Sequence, residues 1–302
     1  MKWIILVFQI LINSCLHTYA QQKAAYSEYL FTPSVINPAA IATDNAYKLS
    51  LNARQQWAGF KGSPNNQTLT ARLPIIDKKT FVGFQVNREQ IGEVISENGF
   101  YSMISQNIAI SDNLNLAFAL QGGFGVFSAS YQSLFSESAN SVNDPNFANA
   151  KNQINGAIGA GLMLFSDRFF MGLSSPHLYY FSDQQNSLKP HFFITTGYLT
   201  GNQFSVLRFK PNFLLKYVDG APVQLDINLS ALLSEKVWIG LSYQSFAGMS
   251  FTSQIDVTDR FQFGYAYDFA LTDLRKKQYG THEILLQFRL PTRNQELKKC
   301  YF

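Results

Sequence analysis

Apolar and polar residues alternate one by one along much of this chain. From residue 223 to residue 229, Val, Leu and Ile occupy every second position, and Gln, Asp and Asn lie between them. Aromatic residues follow the same pattern from 261 to 269, and Leu and Phe follow it from 114 to 120. A repeat of two residues predicts β-strands with one apolar face and one polar face.

Such runs predict fourteen strands, and the connections between them differ in length by position. Connections after odd-numbered strands contain 2 to 27 residues, whereas those after even-numbered strands contain 2 to 6. Transmembrane β-barrels have short turns at one end and longer loops at the other, and their tilted strands need about 9–11 residues. A soluble β-sandwich would also alternate, but it does not predict unequal ends. The predicted strands are residues 46–54, 67–73, 80–88, 98–108, 113–127, 155–165, 168–175, 191–200, 204–217, 222–230, 235–245, 248–256, 260–269 and 282–290.

The predicted fold class is therefore all-β: a transmembrane antiparallel β-barrel of about 14 strands, at residues 46–290, with short periplasmic turns and longer extracellular loops. Residues 21–45 form a segment before the first strand. We expect this segment to pack in the lumen or against the periplasmic rim. Residues 291–302 form a basic C-terminal tail.

The first twenty residues have the pattern of a secretory signal peptide. Lys2 supplies a positive start, residues 3–12 are apolar, and Thr18-Tyr19-Ala20 resembles a cleavage site. Export and cleavage after Ala20, together with the predicted barrel, predict an integral outer-membrane protein whose apolar outer surface contacts the bilayer. In the alternative interpretation, Cys15 is the lipid-modified residue of a lipoprotein signal.

Composition excludes several classes of protein. The 302 residues carry a formal charge of +4 with no basic tract suited to nucleic acid. After the predicted cleavage no stretch approaches eighteen consecutive apolar residues, which excludes a helical membrane protein. Of the two cysteines, only Cys300 would remain, so the mature chain would have no internal disulfide.

No combination of residues specifies catalysis. His177, His191 and His282 each stand alone, without a neighbouring Ser or Asp at a spacing that specifies a nucleophile and its base. No Cys or His set has the spacing of a zinc site. We therefore predict no enzymatic activity, no cofactor and no metal; an enzyme at the barrel rim is kept as a rival hypothesis.

The predicted strand at 204–217 places basic side chains on the face opposite its apolar residues. Arg208, Lys210 and Lys216 share this inward parity and form a basic stripe in the lumen. The stripe could select anions, hold an inserted acidic segment or be solvated. Solvation or pairing with a plug is favoured over anion selectivity.

Two further stretches are candidate contacts for a partner or for a plug. The run Arg54-Gln55-Gln56-Trp57-Ala58-Gly59, with Gly62-Ser63-Pro64, is predicted to form the first outer connection and to fold into the barrel mouth. Asn37-Pro38 belongs to the segment before the first strand. The candidate residues are Asn37, Pro38, Arg54, Gln56, Trp57, Gly59, Gly62 and Pro64.

Five stretches, which together span nearly the whole mature chain, carry a resemblance to a known family. They are residues 26–40, 54–64, 144–147, 161–177 and 263–290, the last including Tyr267-Asp268-Phe269 and Gly280-Thr281-His282-Glu283-Ile284. These stretches resemble the PorP/SprF family of type IX secretion system outer-membrane proteins of Bacteroidota. Leu30-Phe31-Thr32 replaces the family's more usual Met-x-Asn, and the tail after 290 is longer than expected, but neither departure alters the spacing of the similar stretches.

The resemblance implies an outer-membrane barrel that works with other type IX components. Members of the SprF kind are associated with export or surface anchoring of one large secreted adhesin, often a gliding adhesin with a secretion-type C-terminal domain. PorP is tied to a periplasmic peptidoglycan-binding partner. We expect an accessory of adhesin secretion whose docking surface includes the loops at 128–154 and 176–190. A small-solute channel or an anchor for the periplasmic partner are the alternatives.

Overall fold

The structure is a computed structural model that describes residues 26–76, 79–130, 151–181, 188–202, 205–245, 247–292 and 301. The predicted signal peptide at 1–20 and most of the predicted docking loop at 128–154 lie outside these residues. All helices in the described part of the chain are short 3₁₀ turns, and none of them could cross a bilayer.

Fourteen antiparallel strands form one closed barrel, as the alternation predicts. Each strand pairs with its neighbours in the chain, and β1 pairs with β14 to close the cylinder. The strands are β1 Tyr47–Gln55, β2 Asn65–Ile76, β3 Thr80–Ile91, β4 Ile95–Ser111, β5 Leu114–Ala129, β6 Lys151–Phe165, β7 Phe169–Phe181, β8 His191–Tyr198, β9 Leu207–Val218, β10 Gln224–Leu233, β11 Val237–Gln244, β12 Gly248–Asp256, β13 Phe261–Ala270 and β14 Thr281–Leu290.

Apolar side chains point outward and polar side chains point into the lumen. In β1, Leu49 and Leu51 are 46% and 43% exposed, whereas Ser50 and Asn52 are buried. In a bilayer, lipid covers the outward face, and pairing around the closed barrel satisfies the backbone groups that hydrocarbon cannot. Contact with lipid explains why half of each strand is apolar although no protein core covers it.

The barrel has two unlike ends. The long-loop end carries the connections after odd-numbered strands, and the short-turn end carries those after even-numbered strands. Two connections differ in length from the others at their end: the connection between β3 and β4 is only residues 92–94, shorter than predicted, and the connection between β8 and β9 is residues 199–206, longer than predicted. The unequal ends are therefore less regular than the sequence suggests.

Strand length varies around the barrel more than predicted. Strands β4, β5, β6 and β7 contain 17, 16, 15 and 13 residues, whereas β8 and β11 contain 8 each. The largest error is in β7, predicted to end at 175 but continuing to Phe181. Pro176 follows the predicted end directly, but it lies at an irregularity in the pairing with β6, where a proline is tolerated.

Candidate functional site in the barrel lumen

The lumen is occupied by the chain itself. Residues 26–46, here called the lumenal segment, precede β1 and contain the 3₁₀ helices Glu28–Leu30, Pro33–Val35 and Pro38–Ala42. Prolines begin the second and third helices, where a missing N–H costs little. The Asn37 side chain caps the third helix by accepting the Ala39 N–H at 3.0 Å. These turns satisfy much of the segment's backbone locally.

An apolar interior forms where the lumenal segment meets the wall. Ala39, Ala40 and Ile41 are at most 1% exposed and pack with Phe81 and Met163. A second cluster joins the first helix and Val35 to the opposite wall; it contains Tyr29, Leu30, Phe31, Val35, Ile36, Leu199, Leu214, Leu232, Trp238 and Leu285. Dense apolar packing excludes water. The lumen of this barrel is therefore filled by protein, whereas the lumen of a porin is a polar, water-filled channel.

Several of the wall residues facing the third helix are small. Gly83, Ala117 and Ala119 are turned toward the lumen, and a Cβ added at Gly83 would lie 3.1 Å from the Ile41 side chain. Small residues on β3 and β5 therefore leave room for the helix, whereas larger side chains at these positions would occupy its space.

An ion-pair cluster holds the start of the lumenal segment in the long-loop half of the barrel. We call it the acidic anchor: Ser27, Glu28, Arg54, Asp268 and Glu283. The Arg54 guanidinium bridges Asp268 at 2.6 Å and Glu283 at 2.7 Å. Glu283 also accepts the backbone N–H groups of Ser27 at 2.8 Å and Glu28 at 3.1 Å. The segment is thus bound through its backbone to a carboxylate of β14.

The Glu28 side chain is the exception in the acidic anchor. It is fully buried, and neither carboxyl oxygen has a hydrogen-bond partner in the described part of the chain. Burial raises its pKa well above the ordinary value, and the nearby charges of Glu283 and Asp268 raise it further. Glu283 and Asp268 pair with Arg54, whereas no cation contacts the Glu28 carboxyl in the described residues, so burial favours the neutral form of Glu28.

Asn37 and Pro38 lie against two glycines of the wall. The Asn37 side chain donates to the Leu162 carbonyl at 3.0 Å, and Ser174 donates to the Ile36 carbonyl at 2.7 Å. A Cβ added at Gly161 would lie 2.2 Å from Asn37 Oδ1 and 3.0 Å from Pro38 Cδ. Only glycine fits there, so this part of β6 is shaped for the Asn-Pro turn.

A second ion-pair cluster holds the end of the lumenal segment near the short-turn end. We call it the basic anchor: Asp44, Lys48, Arg72 and Arg289. Asp44 pairs with Arg72 at 2.5 Å and Arg289 at 2.8 Å. Burial alone would raise the Asp44 pKa, but the charges of Arg72, Arg289 and Lys48 and the Ala46 N–H lower it below its ordinary value. The Lys48 ammonium donates to the Phe31 carbonyl at 3.0 Å.

The basic stripe points into the lumen as its parity predicts, and each member has a partner. Arg208 pairs with Glu235 at 3.0 Å and Lys216 pairs with Asp226 at 2.6 Å. Lys210 donates to the Tyr301 carbonyl at 2.8 Å and lies 4.4 Å from the centre of the Trp238 ring. These charges are committed to contacts within the protein.

Tyr301 brings the C-terminal region to the same place. Its hydroxyl donates to Glu235 at 2.9 Å, and its ring lies 4.6 Å from the Arg208 guanidinium. The lumenal segment and the C-terminal region therefore meet the same half of the lumen, the segment through Asp44 and the C-terminal region through Tyr301.

The candidate residues of the first connection are divided between two places. Arg54 belongs to β1 and points into the acidic anchor; placing it in the connection was wrong, because strand parity continues through Gln55. Trp57 has a φ of 50° and its N–H bonds to Thr281 at 3.1 Å. The remaining candidates of this connection, Gln56, Gly59, Gly62 and Pro64, lie beside Trp57.

The first connection packs on its neighbours at the long-loop end. Ala58 and the residues 279–280 exchange backbone hydrogen bonds, and a Cβ at Gly59 would lie 2.3 Å from the Tyr279 ring. Gly62 accepts the Gly92 N–H at 3.0 Å. These contacts join the connections that precede β2, β4 and β14.

The histidines take part in separate local contacts. His177 lies between the rings of Tyr101 and Tyr180, and His282 Nδ1 bonds to the Tyr265 hydroxyl at 2.8 Å. In the described residues no group of three or more His, Cys, Asp or Glu side chains is arranged to hold a metal ion. Nothing in this arrangement positions a nucleophile against a base.

Sequence reasoning did not identify most of the residues that hold the lumenal segment. Asp44, Arg72 and Arg289 were not singled out. Glu28, Asp268 and Glu283 lie within stretches that resemble the family, and the structure brings those stretches together. The resemblance of these stretches to the family was the sequence signal that could have identified the three acids.

Comparison with solved structures finds other membrane barrels at very low identity. Omp33 of Acinetobacter baumannii has a TM-score of 0.48 and 10% identity over 82% of this chain and 100% of its own. The toluene transporter TodX of Pseudomonas putida has 0.46 and 10% over 89% and 94%. The KdgM porin has 0.40 and 9% over 80% and 98%. No curated protein matches the chain.

A family model matches far more specifically. The model described as "Type IX secretion system membrane protein PorP/SprF" matches residues 18–288, which include the lumenal segment, all the strands up to β13 and nearly all of β14. The match confirms the resemblance carried by the motifs and indicates an outer-membrane barrel. The chain belongs to the PorP/SprF family of type IX secretion system membrane proteins.

Proposed function

We propose that this barrel is an accessory of the type IX secretion system that supports export and cell-surface anchoring of a large secreted adhesin. The observation that carries the proposal is the filled lumen. A barrel whose interior is packed and held at both ends is suited to be a membrane-embedded body that other proteins bind. Its partners would be the adhesin, through a secretion-type C-terminal domain, and other type IX components.

The filled lumen argues against the rival function of a small-solute channel. A channel needs a continuous polar path, whereas the lumenal segment buries Ile41 and its alanines against apolar wall residues. Purified protein in planar bilayers is expected to show no steady conductance. Large and steady conductance of the intact chain would instead establish the channel.

Deletion of the gene tests the proposal directly. The mutant should assemble its other outer-membrane barrels normally but lose surface display of a large protein with a secretion-type C-terminal domain, measured by surface proteolysis and mass spectrometry. Complementation with the wild-type gene is the control. Normal display and gliding in the deletion mutant would refute the proposal.

A second candidate role is an anchor for a periplasmic peptidoglycan-binding protein. The observation that favours it is the charge at the short-turn end, where Asp44 pairs with Arg72 and Tyr301 donates to Glu235. Co-purification of such a protein with the detergent-solubilised barrel would support this role. Its loss on Glu235→Ala, with the barrel still folded, would place the contact there.

Processing belongs to the same proposal. Export to the outer membrane requires removal of a signal peptide, and residues 18–20 suggest a mature chain that starts at Gln21. N-terminal sequencing of the protein from outer membranes checks this. A lipid-modified Cys15 at the N-terminus would favour the lipoprotein alternative.

A further inference from the structure

One charged side chain departs from the pattern of the outer wall. Arg88 of β3 has the parity of Phe84 and Val86, whose side chains lie on the apolar outer face, and it is exposed as they are. Among the strand residues whose side chains the structure describes, no other charged residue has outward parity. The Arg88 guanidinium forms no hydrogen bond or ion pair with the described residues. A charge on the lipid face that the protein does not pair is a candidate binding site.

Arg88 lies at the boundary between the apolar and the polar part of the outer face. The next outward residue toward the short-turn end is Val86, which is exposed. The next outward residue toward the long-loop end is Gln90, which pairs with Asn65 of β2 and Ser96 of β4 in a polar row. A charge on the lipid face is least costly near the head groups, which a long side chain can also reach. This pattern places Arg88 at the head-group level of the leaflet at the long-loop end.

Two exposed amide side chains flank Arg88 on the neighbouring strands. Gln67 of β2 and Asn98 of β4 are paired directly with Arg88 and share its outward face. We call these three residues the arginine site. Paired residues on one face have Cβ atoms about 5 Å apart, so the N–H groups of all three side chains can reach one ligand. Neither amide has a hydrogen-bond partner in the described part of the chain, so the arginine site suits an anion that accepts several hydrogen bonds.

A row of aromatic rings lies on the hydrocarbon side of the arginine site. Phe84 of β3, Phe100 of β4 and Phe124 of β5 are each at least 39% exposed. The ring centres are 6.3 Å apart for Phe84 and Phe100 and 6.2 Å apart for Phe100 and Phe124. Phe100 is the next outward residue after Asn98 on β4. An apolar surface that begins directly beside a cation can hold the acyl chains of a lipid whose head group binds that cation.

We propose that the arginine site binds the phosphate head group of a lipid in the leaflet at the long-loop end, and that the acyl chains of this lipid pack on the phenylalanine row. The planar Arg88 guanidinium would donate to two phosphate oxygens. Gln67 and Asn98 would donate to the remaining phosphate oxygens or to hydroxyl groups of the head group. This lipid site is additional to the proposed function and does not rest on it.

A lipid fits this place better than a water-soluble ligand. The arginine site and the phenylalanine row belong to one face of the wall, which the bilayer covers. A phosphate-bearing lipid satisfies both levels of that face with one molecule. Free phosphate, or a carboxylate of a soluble partner, would contact Arg88 alone and gain nothing from the rings.

Lipid titration of the purified protein in detergent micelles, followed by native mass spectrometry, tests the proposal. Dimyristoyl phosphatidic acid should bind more tightly than dimyristoylglycerol, which has the same chains without the phosphate. Arg88→Gln should weaken the binding of phosphatidic acid about tenfold, the scale of one lost hydrogen-bonded ion pair. Lys61→Gln is the matched control, because Lys61 is also exposed at the long-loop end but lies in the first connection; it should change binding by less than about twofold.

A second variant tests the phenylalanine row. Phe100→Ala leaves the arginine site intact, so it should weaken binding of the long-chain phosphatidic acid but not of a short-chain form with the same head group. Equal binding of dimyristoylglycerol, or equal losses from Arg88→Gln and Lys61→Gln, would overturn the proposal. Displacement of the lipid by an equal concentration of inorganic phosphate would also overturn it, since the site would then be one for the free anion.

Photo-crosslinking in cells distinguishes a lipid from a polypeptide. A benzoylphenylalanine in place of Gln67 should give an adduct with a phosphate-bearing lipid, identified by mass spectrometry of the purified barrel, and Arg88→Gln should reduce this adduct. A lipid adduct that Arg88→Gln leaves unchanged would indicate bulk lipid only and would refute the site. A polypeptide adduct that depends on Arg88 would refute the lipid as its occupant, and it would leave the proposed function untouched.

Discussion

The two anchors of the lumenal segment are built with opposite charge ratios. The acidic anchor holds three carboxyl groups and one guanidinium, which pairs with two of them, whereas the basic anchor surrounds Asp44 with Arg72, Arg289 and Lys48. One has an excess of acid and the other an excess of base. Each contains a single group of the minority charge, so each should fail through a different substitution and in a different direction of pH.

Opposite pH responses follow from the two pKa shifts. Glu28 has a raised pKa, so its contribution is complete below its ordinary value near 4.5 and is lost as pH rises toward the raised value. Asp44 has a lowered pKa, so its contribution is complete above its ordinary value near 3.8 and is lost as pH falls through the lowered value. A rise in pH above about 4.5 therefore loosens the start of the lumenal segment, and a fall in pH below about 3.8 loosens its end.

The largest expected effect comes from Arg54→Leu. It leaves Glu283, which is fully buried, and Asp268 without their shared cation, and removing one partner of a buried pair costs about 3–5 kcal/mol. Urea unfolding in detergent micelles, followed by tryptophan fluorescence, measures the loss. Lys189→Ala is the control, since the Lys189–Asp219 pair is well exposed and should change stability by less than about 0.5 kcal/mol. Equal effects of both would refute the anchor.

Asp44→Asn should cost less, about 2–3 kcal/mol. The substitution removes the carboxylate that Arg72 and Arg289 share. The cost is smaller than for Arg54→Leu because long basic side chains can move their charged groups toward water at the short-turn end. The variant should lose the acid sensitivity that the wild type shows as pH falls below 4. Unfolding midpoints at pH 3 and pH 7 measure this. A variant that remains as acid-sensitive as the wild type would contradict the role of Asp44.

Gly161→Val tests a neutral contact between the two anchors. The added side chain would displace Asn37 and Pro38, and overpacking of this kind costs about 1–3 kcal/mol. Because no charge is involved, the loss should be the same at pH 4 and pH 8. Gly122→Val is the control on the neighbouring strand, since no atom lies within 4 Å of a Cβ there. A pH-dependent loss would show that Asn37 is coupled to an anchor.

The smallest effect is expected from Glu28→Gln, and it should be stabilising. The amide keeps the shape of a neutral carboxyl but cannot ionise beside Glu283. We expect no change at pH 4 and a gain on the order of 1 kcal/mol at pH 8, the scale of one buried polar group. Protection of residues 26–46 from protease at the two pH values reports it. Destabilisation at pH 8 would show that Glu28 acts as an ionised group.

The sequence predicted the wall of the barrel well because lipid and lumen impose a local pattern. Alternation defines a strand within a few residues, and β12 has the predicted bounds of 248–256. The extension of β7 to Phe181 was missed, because a proline such as Pro176 is compatible either with the end of a strand or with an irregularity within it. Only its three-dimensional neighbours, Gln121 and Gly159, distinguish them.

The anchors could not be derived from local pattern. Glu283 meets Ser27 across 256 positions of the chain, and no spacing rule links an acid on the last strand to a turn before the first. The basic stripe shows the same limit: parity placed Arg208 and Lys216 inside, but their partners Glu235 and Asp226 became visible only through pairing. Faces follow from periodicity, whereas partners follow from topology.

The acidic anchor also constrains how the protein can assemble. Its arginine stands on the first strand and its carboxylates on the last two, so the cage around Ser27 is complete only once those strands have met. The lumenal segment, which is synthesised first in the described chain, can therefore be fixed in place only after β13 and β14, which are synthesised last, have joined the barrel. Closure of the barrel and fixation of the lumenal segment are therefore one event.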